Sequence, residues 1–278
     1  MHCNARGLEL AKWRFYFEGG DAGAVVDELQ YYQNTDGGFA HALEADCWNP
    51  ASAPSQMFYA IHILHELDYK DKTHPVIQGM LRYLESGKDM EDGFWISILS
   101  SNNEYPHAPW WTKTDIKTFD VYMPNADICW FILNFAQKDS SLYTKAESMV
   151  QRMLDLFLSQ KEVEPHSLES MMFLLRELQK TGSFCGPQTD ADAAHGIQLM
   201  RGLIEEDPDH WNAYCITPSF FIHDRLHPLY PEYSTLLKLE VQRITETRDA
   251  EGCWNINWVW QGYENEFRLS ANWWKSSV

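Results

Sequence analysis

The chain is short of positive charge. Against 40 Asp and Glu residues it sets 22 Lys and Arg, a formal net charge of −18. Nucleic acids and anionic membrane surfaces attract basic faces, so this balance argues against both as partners. It leaves room for a small anionic ligand held by a local Arg or a metal. Long apolar runs are also missing. No stretch of about 18 apolar residues occurs, so no membrane span is expected. The N-terminal MHCNARGLELAKWRF has no apolar core of signal-peptide type. The six cysteines, Cys3, Cys47, Cys129, Cys185, Cys215 and Cys253, are scattered without a CxxC pair. Free thiols in a reducing cytoplasm are therefore expected. No GxSxG, P-loop or GxGxxG occurs, and no cofactor is expected.

What is abundant is aromatic: 12 Trp, 13 Tyr and 14 Phe in 278 residues. A core rarely needs so many large rings, so some are expected to line a cavity. A turn pattern recurs among them. YYQNTDGGFAHALEAD begins at Tyr31, MEDGFW ends at Trp95 and DAEGCW ends at Trp254. In each, an acid and glycine precede an aromatic residue. Phe39 and Phe94 are 55 residues apart, and Phe94 and Trp254 are 160 apart, close to three such steps. A fixed period of this size marks a repeat architecture. Proline supplies a second punctuation. Pro54, Pro124, Pro165 and Pro218 each precede an apolar run and are taken as helix starts, where a missing N–H costs nothing.

Segments before the turns show apolar residues at three- and four-residue spacing, the pattern of a helix with one wet face. Segments after the prolines are apolar almost all round, which suggests burial on several sides. The alternation predicts outer helices near 22–33, 74–87, 142–160, 190–204 and 231–247. It predicts inner helices near 54–68, 124–137, 165–180 and 218–225, with LELAKWRFYF and EFRLSANWWK completing the inner ring. Period-two alternation is rare, so strands are not expected. The expected fold is all-α: a single-domain α/α toroid over residues 1–278, built from five or six helical hairpins in two layers.

QNTDGGFAHALEAD followed by NPASAPSQMFYAIHIL resembles the repeats of the terpenoid cyclase and protein prenyltransferase toroid superfamily. Those repeats place a Gln and a Gly–aromatic turn after an outer helix. More narrowly, the chain is similar to uncharacterised bacterial members of that superfamily, which carry similar GGF, ALE and HAPWW segments. The resemblance covers most of the chain as architecture. It implies a toroid and says little about the reaction, since one fold hosts many activities.

The Asp36–Phe39 stretch is expected to serve as a tight turn, with glycine supplying positive φ and Phe39 packing between helices. Glu44 and Asp46 have no obvious equivalent after the later turns. A paired carboxylate there serves as acid and base if burial separates the two pKa values, or merely caps the next helix. The second turn carries an insertion. Phe39 to Pro54 is 15 residues, Phe94 to Pro124 is 30, and the surplus holds SNNEYPHAPWWTKTD. Long loops in compact domains are often lids or binding segments. His107, Trp110 and Trp111 either close over a substrate or plug the ring. Asp127 is a third candidate acid, and Tyr122, Trp130, Trp254 and Trp258, with Phe58, are candidate substrate walls.

The resemblance also suggests a metal test. Prenyltransferases hold zinc with an Asp-x-Cys pair and a later His. Asp127, Cys129 and His166 match those types, which suit zinc with an open fourth position. Their spacing departs from the family pattern, so no tightly bound zinc is expected. The Asp-x-Asp-Asp motif of alkene-protonating cyclases and the DDxxD magnesium motif are absent. Three functions remain: an enzyme acting on an apolar, isoprenoid-like substrate through cation–π stabilisation; a carbohydrate-active hydrolase or lyase with carboxyls about 5–10 Å apart; and a non-catalytic binding scaffold.

Overall fold

The structure is a computed structural model in which residues 5–114, 120–182, 186–250 and 252–275 are described. It is mostly helical. The helices are α1 (Gly7–Phe17), α2 (Ala22–Leu29), α3 (Pro54–Glu66), α4 (Pro75–Glu85), α5 (Asn125–Phe135), α6 (Ser141–Phe157), α7 (Pro165–Thr181), α8 (Pro187–Leu203), α9 (Tyr230–Glu246) and α10 (Glu264–Trp274). A two-residue hairpin, β1 (Met90–Glu91) with β2 (Phe94–Trp95), is formed by the second Gly–aromatic turn.

Local chemistry explains the helix ends. Pro54 and Pro165 open α3 and α7 as expected, and Pro75 and Pro187 do the same for α4 and α8. Pro124 sits one place earlier, capping α5. Asp21 caps α2 by accepting from Gly23 N, and Glu164 caps α7 by accepting from Ser167 N. Gly182, in the left-handed region, ends α7.

The chain divides into two compact units: Met1–Val150 with Trp258–Val278, and Gln151–Asn257. In the first, α1 packs on α2, α2 on α4, and α3 on α5. Helix α4 buries Val76, Ile77, Met80, Tyr83 and Leu84 along one stripe, as its amphipathic pattern predicts. Helix α5 buries every residue from Asn125 to Ile132. At roughly 1.5–3 kcal/mol per large apolar side chain, α3 and α5 supply much of this unit's hydrophobic stabilisation. In the second unit, α7 packs on α8, and α9 packs on two short 3-10 turns at Pro208–His210 and Pro218–Phe220. Its polar ties include Ser219 N and Oγ donating to Glu240 at 2.9 and 2.6 Å.

Two expectations about helices fail. Residues 218–225 form one 3-10 turn and no α-helix. The apolar run Phe220, Phe221, Ile222 is too short to sustain a helix, and Asp224 then turns the chain by accepting from Leu226 N. The terminal helices, expected in the inner layer, are instead only partly buried. Helix α1 buries only Leu8, Glu9 and Ala11, and α10 only Ser270.

Candidate functional site

The first Gly–aromatic turn is built by backbone contact. Gly37 has φ +92°, and a Cβ placed there would lie 1.9 Å from Gly79 O on α4. Gln33 stitches the two together, donating from Nε2 to Gly37 O at 3.0 Å and to Val76 O at 2.9 Å. Asp36 Oδ1 accepts from Gly38 N and Ser52 Oγ. Burial alone would raise the Asp36 pKa, but these bonds and Lys88 lower it. The Asp-Gly-Gly-Phe stretch is a structural turn.

Past the turn the backbone is strained. His41 and Ala42 are consecutive non-glycine residues at φ 57° and 56°. Each such residue costs about 1–2 kcal/mol. The partly buried Arg6 guanidinium holds this bend by donating to the carbonyls of Ala42 and Leu43, and pairs with Glu9. Strain of this kind clusters at functional sites. It delivers Leu43, Glu44, Ala45 and Asp46 into the protein interior.

Glu44 is 2% exposed and Asp46 1% exposed. Gln56 Oε1 accepts from Glu44 N at 2.8 Å, and Glu44 Oε2 accepts from Asp46 N at 3.1 Å. The Tyr59 phenol lies against Glu44. The Trp111 indole N–H reaches toward the carboxyl without meeting hydrogen-bond geometry. Burial, then the neighbouring Asp46 charge, pushes the Glu44 pKa well above the carboxylate range.

Asp46 has a different environment. Its Oδ1 accepts from Trp260 Nε1 at 3.0 Å, Trp274 Nε1 at 2.9 Å and Ser270 Oγ at 3.1 Å. Burial raises its pKa, and the indole and hydroxyl donors oppose that shift without reversing it. Two acids two residues apart are thus separated chemically: Glu44 favours its neutral form, while Asp46 has the donors that suit an anion.

The insertion closes over this pair. Ala108 N donates to Asp46 O at 2.8 Å, Trp48 N donates to Pro106 O at 3.0 Å, and Cys47 and His107 form an antiparallel bridge. His107 donates from Nδ1 to Tyr105 O at 2.6 Å, which leaves Nε2 to accept from Thr112 Oγ1 at 2.9 Å. Asn49 ties the loop further through Ser101 and Asn102. Trp111 is buried in a cluster with Cys47, Ala108 and Trp260, against which Trp48, Tyr59, Trp258 and Tyr263 pack. Burial, with both acids nearby, pushes the Cys47 thiol up to about 12. Trp110 remains half exposed, edge-on to Trp258 at 6.1 Å, and Trp258 meets Trp274 at 5.8 Å. A cavity of about 360 Å³ opens between Asn103, His107, Pro109, Thr112, Gln261 and Tyr263.

The structure therefore gathers Glu44, Asp46, His107, Trp110, Trp111 and Trp258. Asp127 belongs to a separate polar couple: it is fully buried in the first turn of α5, and its Oδ1 pairs with His62 Nε2 at 2.9 Å. Trp130 is buried edge-on to His65 at 5.0 Å, and Tyr122 is buried ahead of α5. Trp254 lies in the other unit, 47% exposed, its indole donating to Ile244 O at 2.7 Å. The weak zinc set has other attachments too. Cys129 is a buried thiol held high by burial and then by Asp127, and His166 pairs with Glu164 at 2.8 Å. Among the described residues, no group of three or more His, Cys, Asp or Glu is placed to hold a metal. Cys47, Cys129, Cys215 and Cys253 are free thiols. Asp115, at the end of the predicted insertion, lies outside the described residues.

Sequence reasoning missed Arg6, Tyr59, His62, Trp260, Ser270 and Trp274. For Tyr59 and His62 a signal exists: they are polar residues three apart within the otherwise apolar run Met57–Leu64. Asp46 recruits the other end of the chain, and no local pattern announces that. Comparison with family models, with curated proteins and with solved structures gave no match.

Proposed function

We propose that this chain is an enzyme that holds an apolar, isoprenoid-like substrate in the cavity of an α/α toroid, with Glu44 as general acid. One observation carries this: a 2% exposed carboxyl, favoured in its neutral form by burial and by a second carboxylate, sits among Tyr59, Trp111 and the cluster that includes Trp258. A neutral buried acid can deliver a proton to a substrate that has no strong base of its own. Aromatic faces then stabilise the positive charge that develops. Asp46, fixed by indole and hydroxyl donors, is a preorganised counter-charge, so no group need reorient as charge develops. The toroid is supported by the interleaving of strongly buried and amphipathic helices, and by α3 packing on α5 although α4 lies between them in sequence. A cytoplasmic setting belongs to the same proposal and fits the free thiols.

The cavity favours a second reading, a carbohydrate-active enzyme. Its lining is uncharged and rich in amide, hydroxyl and imidazole groups, with the exposed ring of Trp110 nearby. Neutral polyols are bound by such groups.

A screen of linear polyenes and prenyl alcohols beside neutral oligosaccharides, with wild type and Glu44→Gln in parallel, tests both. Conversion of a polyene that Glu44→Gln abolishes without any fall in melting temperature supports the first. Glycan turnover instead moves the substrate class to the second. Equal turnover by Glu44→Gln sinks the general-acid role, and a lost melting temperature makes the carboxyl structural.

A further inference from the structure

The cavity of about 360 Å³ lies wholly within the first unit, between residues 103–112 of the insertion and residues 261–263. Small-molecule sites run from about 300 to about 1,000 Å³, so its size fits a ligand no larger than a mono- or disaccharide. No carboxyl, thiol or ammonium group lines it. The imidazole of the lining, His107, has both ring nitrogens engaged, Nδ1 with Tyr105 O at 2.6 Å and Nε2 with Thr112 Oγ1 at 2.9 Å. The walls therefore offer groups that bind, without an acid or base placed to move a proton.

The hydrogen-bonding capacity left over is specific. Asn103 exchanges bonds with Lys113, Nδ2 donating to Lys113 O and Oδ1 accepting from Lys113 N, both at 2.8 Å. A primary amide has two donors and two lone pairs, so half of each remains for a ligand. Thr112 Oγ1 spends its hydrogen on His107 and can still accept. The exposed Gln261 amide and the partly exposed Tyr263 hydroxyl make no hydrogen bond to the described residues. Donors and acceptors are thus mixed. A hydroxyl group both donates and accepts, so a polyol can use all of them, whereas a carboxylate only accepts and is opposed by every acceptor in the wall. The net charge of −18 disfavours anions further. An apolar ligand would cover the amide and the phenol without bonding them, which is unfavourable. Pro109 and the Tyr263 ring, 5.7 Å from the His107 ring, add apolar surface for the C–H face of a sugar. Asn102 Nδ2, donating to Trp111 O at 3.1 Å, helps to fix the loop, so little ordering is left to oppose binding.

We propose that this cavity is a binding site for a small neutral saccharide, with Gln261 and Tyr263 as its specificity-determining residues and no turnover of its own. The ligand class rests on the carbohydrate reading, whereas the assignment of binding without chemistry does not.

Saturation-transfer NMR on the full chain reads binding without turnover. The probes are the methyl glycosides of glucose, galactose, mannose and N-acetylglucosamine, with cellobiose and maltose; citrate and geraniol are the anionic and apolar controls. At least one saccharide is expected to bind with a Kd below about 10 mM, the weak end of specific affinity, and neither control is expected to displace it. Gln261→Ala and Tyr263→Phe are each expected to weaken that binding by about five- to tenfold, the loss of one hydrogen-bonding group. Both are expected to keep the wild-type melting temperature, because the Gln261 amide holds no other residue and phenylalanine retains the ring. Glu44→Gln is expected to bind as wild type does. Saccharide binding with no glycan turnover supports this inference while removing the carbohydrate-active reading, so the two fail separately. No binding by any of the saccharides, binding that neither variant weakens, or displacement by geraniol or citrate overturns it.

Discussion

The first and last Gly–aromatic turns share a sequence pattern and almost nothing else. Gly37 and Gly252 both sit at positive φ, +92° and +81°. Both turns use an aspartate to fold back, Asp36 on Gly38 N and Asp249 on Cys253 N. Yet Phe39 is 0% exposed, and Trp254, its counterpart, is 47% exposed. A Cβ at Gly37 would strike the α4 backbone, while one at Gly252 meets nothing within 4 Å. Only the first turn continues into strained backbone and two buried acids. The pattern therefore encodes a reversal of the chain. Whether that reversal is a core element or a surface bend depends on what packs against it.

Substitution at the two glycines breaks this comparison most directly. Gly37→Ala combines an unfavourable φ with a backbone clash and is expected to cost about 3–5 kcal/mol, in the range of severe core disruption. Gly252→Ala meets only the φ penalty, about 1 kcal/mol. Urea denaturation of both variants checks the contrast; equal losses would mean that the close approach to Gly79 is not rigid. Asp46→Ala comes next. It leaves the indole N–H groups of Trp260 and Trp274 without their shared acceptor, while the Ser270 hydroxyl keeps Ala45 O, and is expected to cost about 3 kcal/mol, which Asp46→Asn partly restores. Retained stability in the alanine variant would show that Asp46 does not anchor the C-terminal segment.

Glu44 sharpens the comparison through pH. Its pKa is raised in the folded state, so the neutral form is favoured on folding. That contribution is complete below the unfolded value of about 4.3 and is lost as pH rises toward and through the folded value. Glu44→Gln is expected to flatten this decline and to melt higher than wild type at neutral and alkaline pH. Parallel slopes in the two proteins would contradict it. A smaller effect of the same sign is expected at Asp192 in the second unit. That side chain is 0% exposed with both oxygens unpartnered, and burial raises it to about 6, opposed by His195 and assisted by Asp155. Its stabilising protonation is present below about pH 3.9 and fades through about pH 6. Asp192→Asn is expected to raise the melting temperature by a few degrees above that range and to leave it unchanged in acid; a fall at neutral pH would refute this.

Much of the helical framework was legible in the sequence, and for local reasons. Prolines mark helix starts because a first-turn N–H is dispensable, and the amphipathic stripe of α4 follows from its 3.6-residue period. The same logic overreached at residues 218–225, where a short apolar run after a proline yields one 3-10 turn. Apolar content alone also misjudged α1 and α10, whose large residues are mostly only partly buried. The choice of Glu44 and Asp46 came from their uniqueness among the turns, which is a sequence property. The different surroundings of the two carboxyls are not, because they depend on who donates to each.

The sequence by itself determined that this is a helical, acidic, aromatic-rich chain, with glycine turns and proline starts at set places, because backbone φ limits and helix periodicity act over a few residues. Only the tertiary structure decided which acids count. Asp46 meets Trp260, Ser270 and Trp274 across more than 200 residues of chain. Asp127 meets His62 rather than Glu44, because α3 lies beside α5. A pKa is set by burial and by neighbours in space, and those are properties of the packed protein alone.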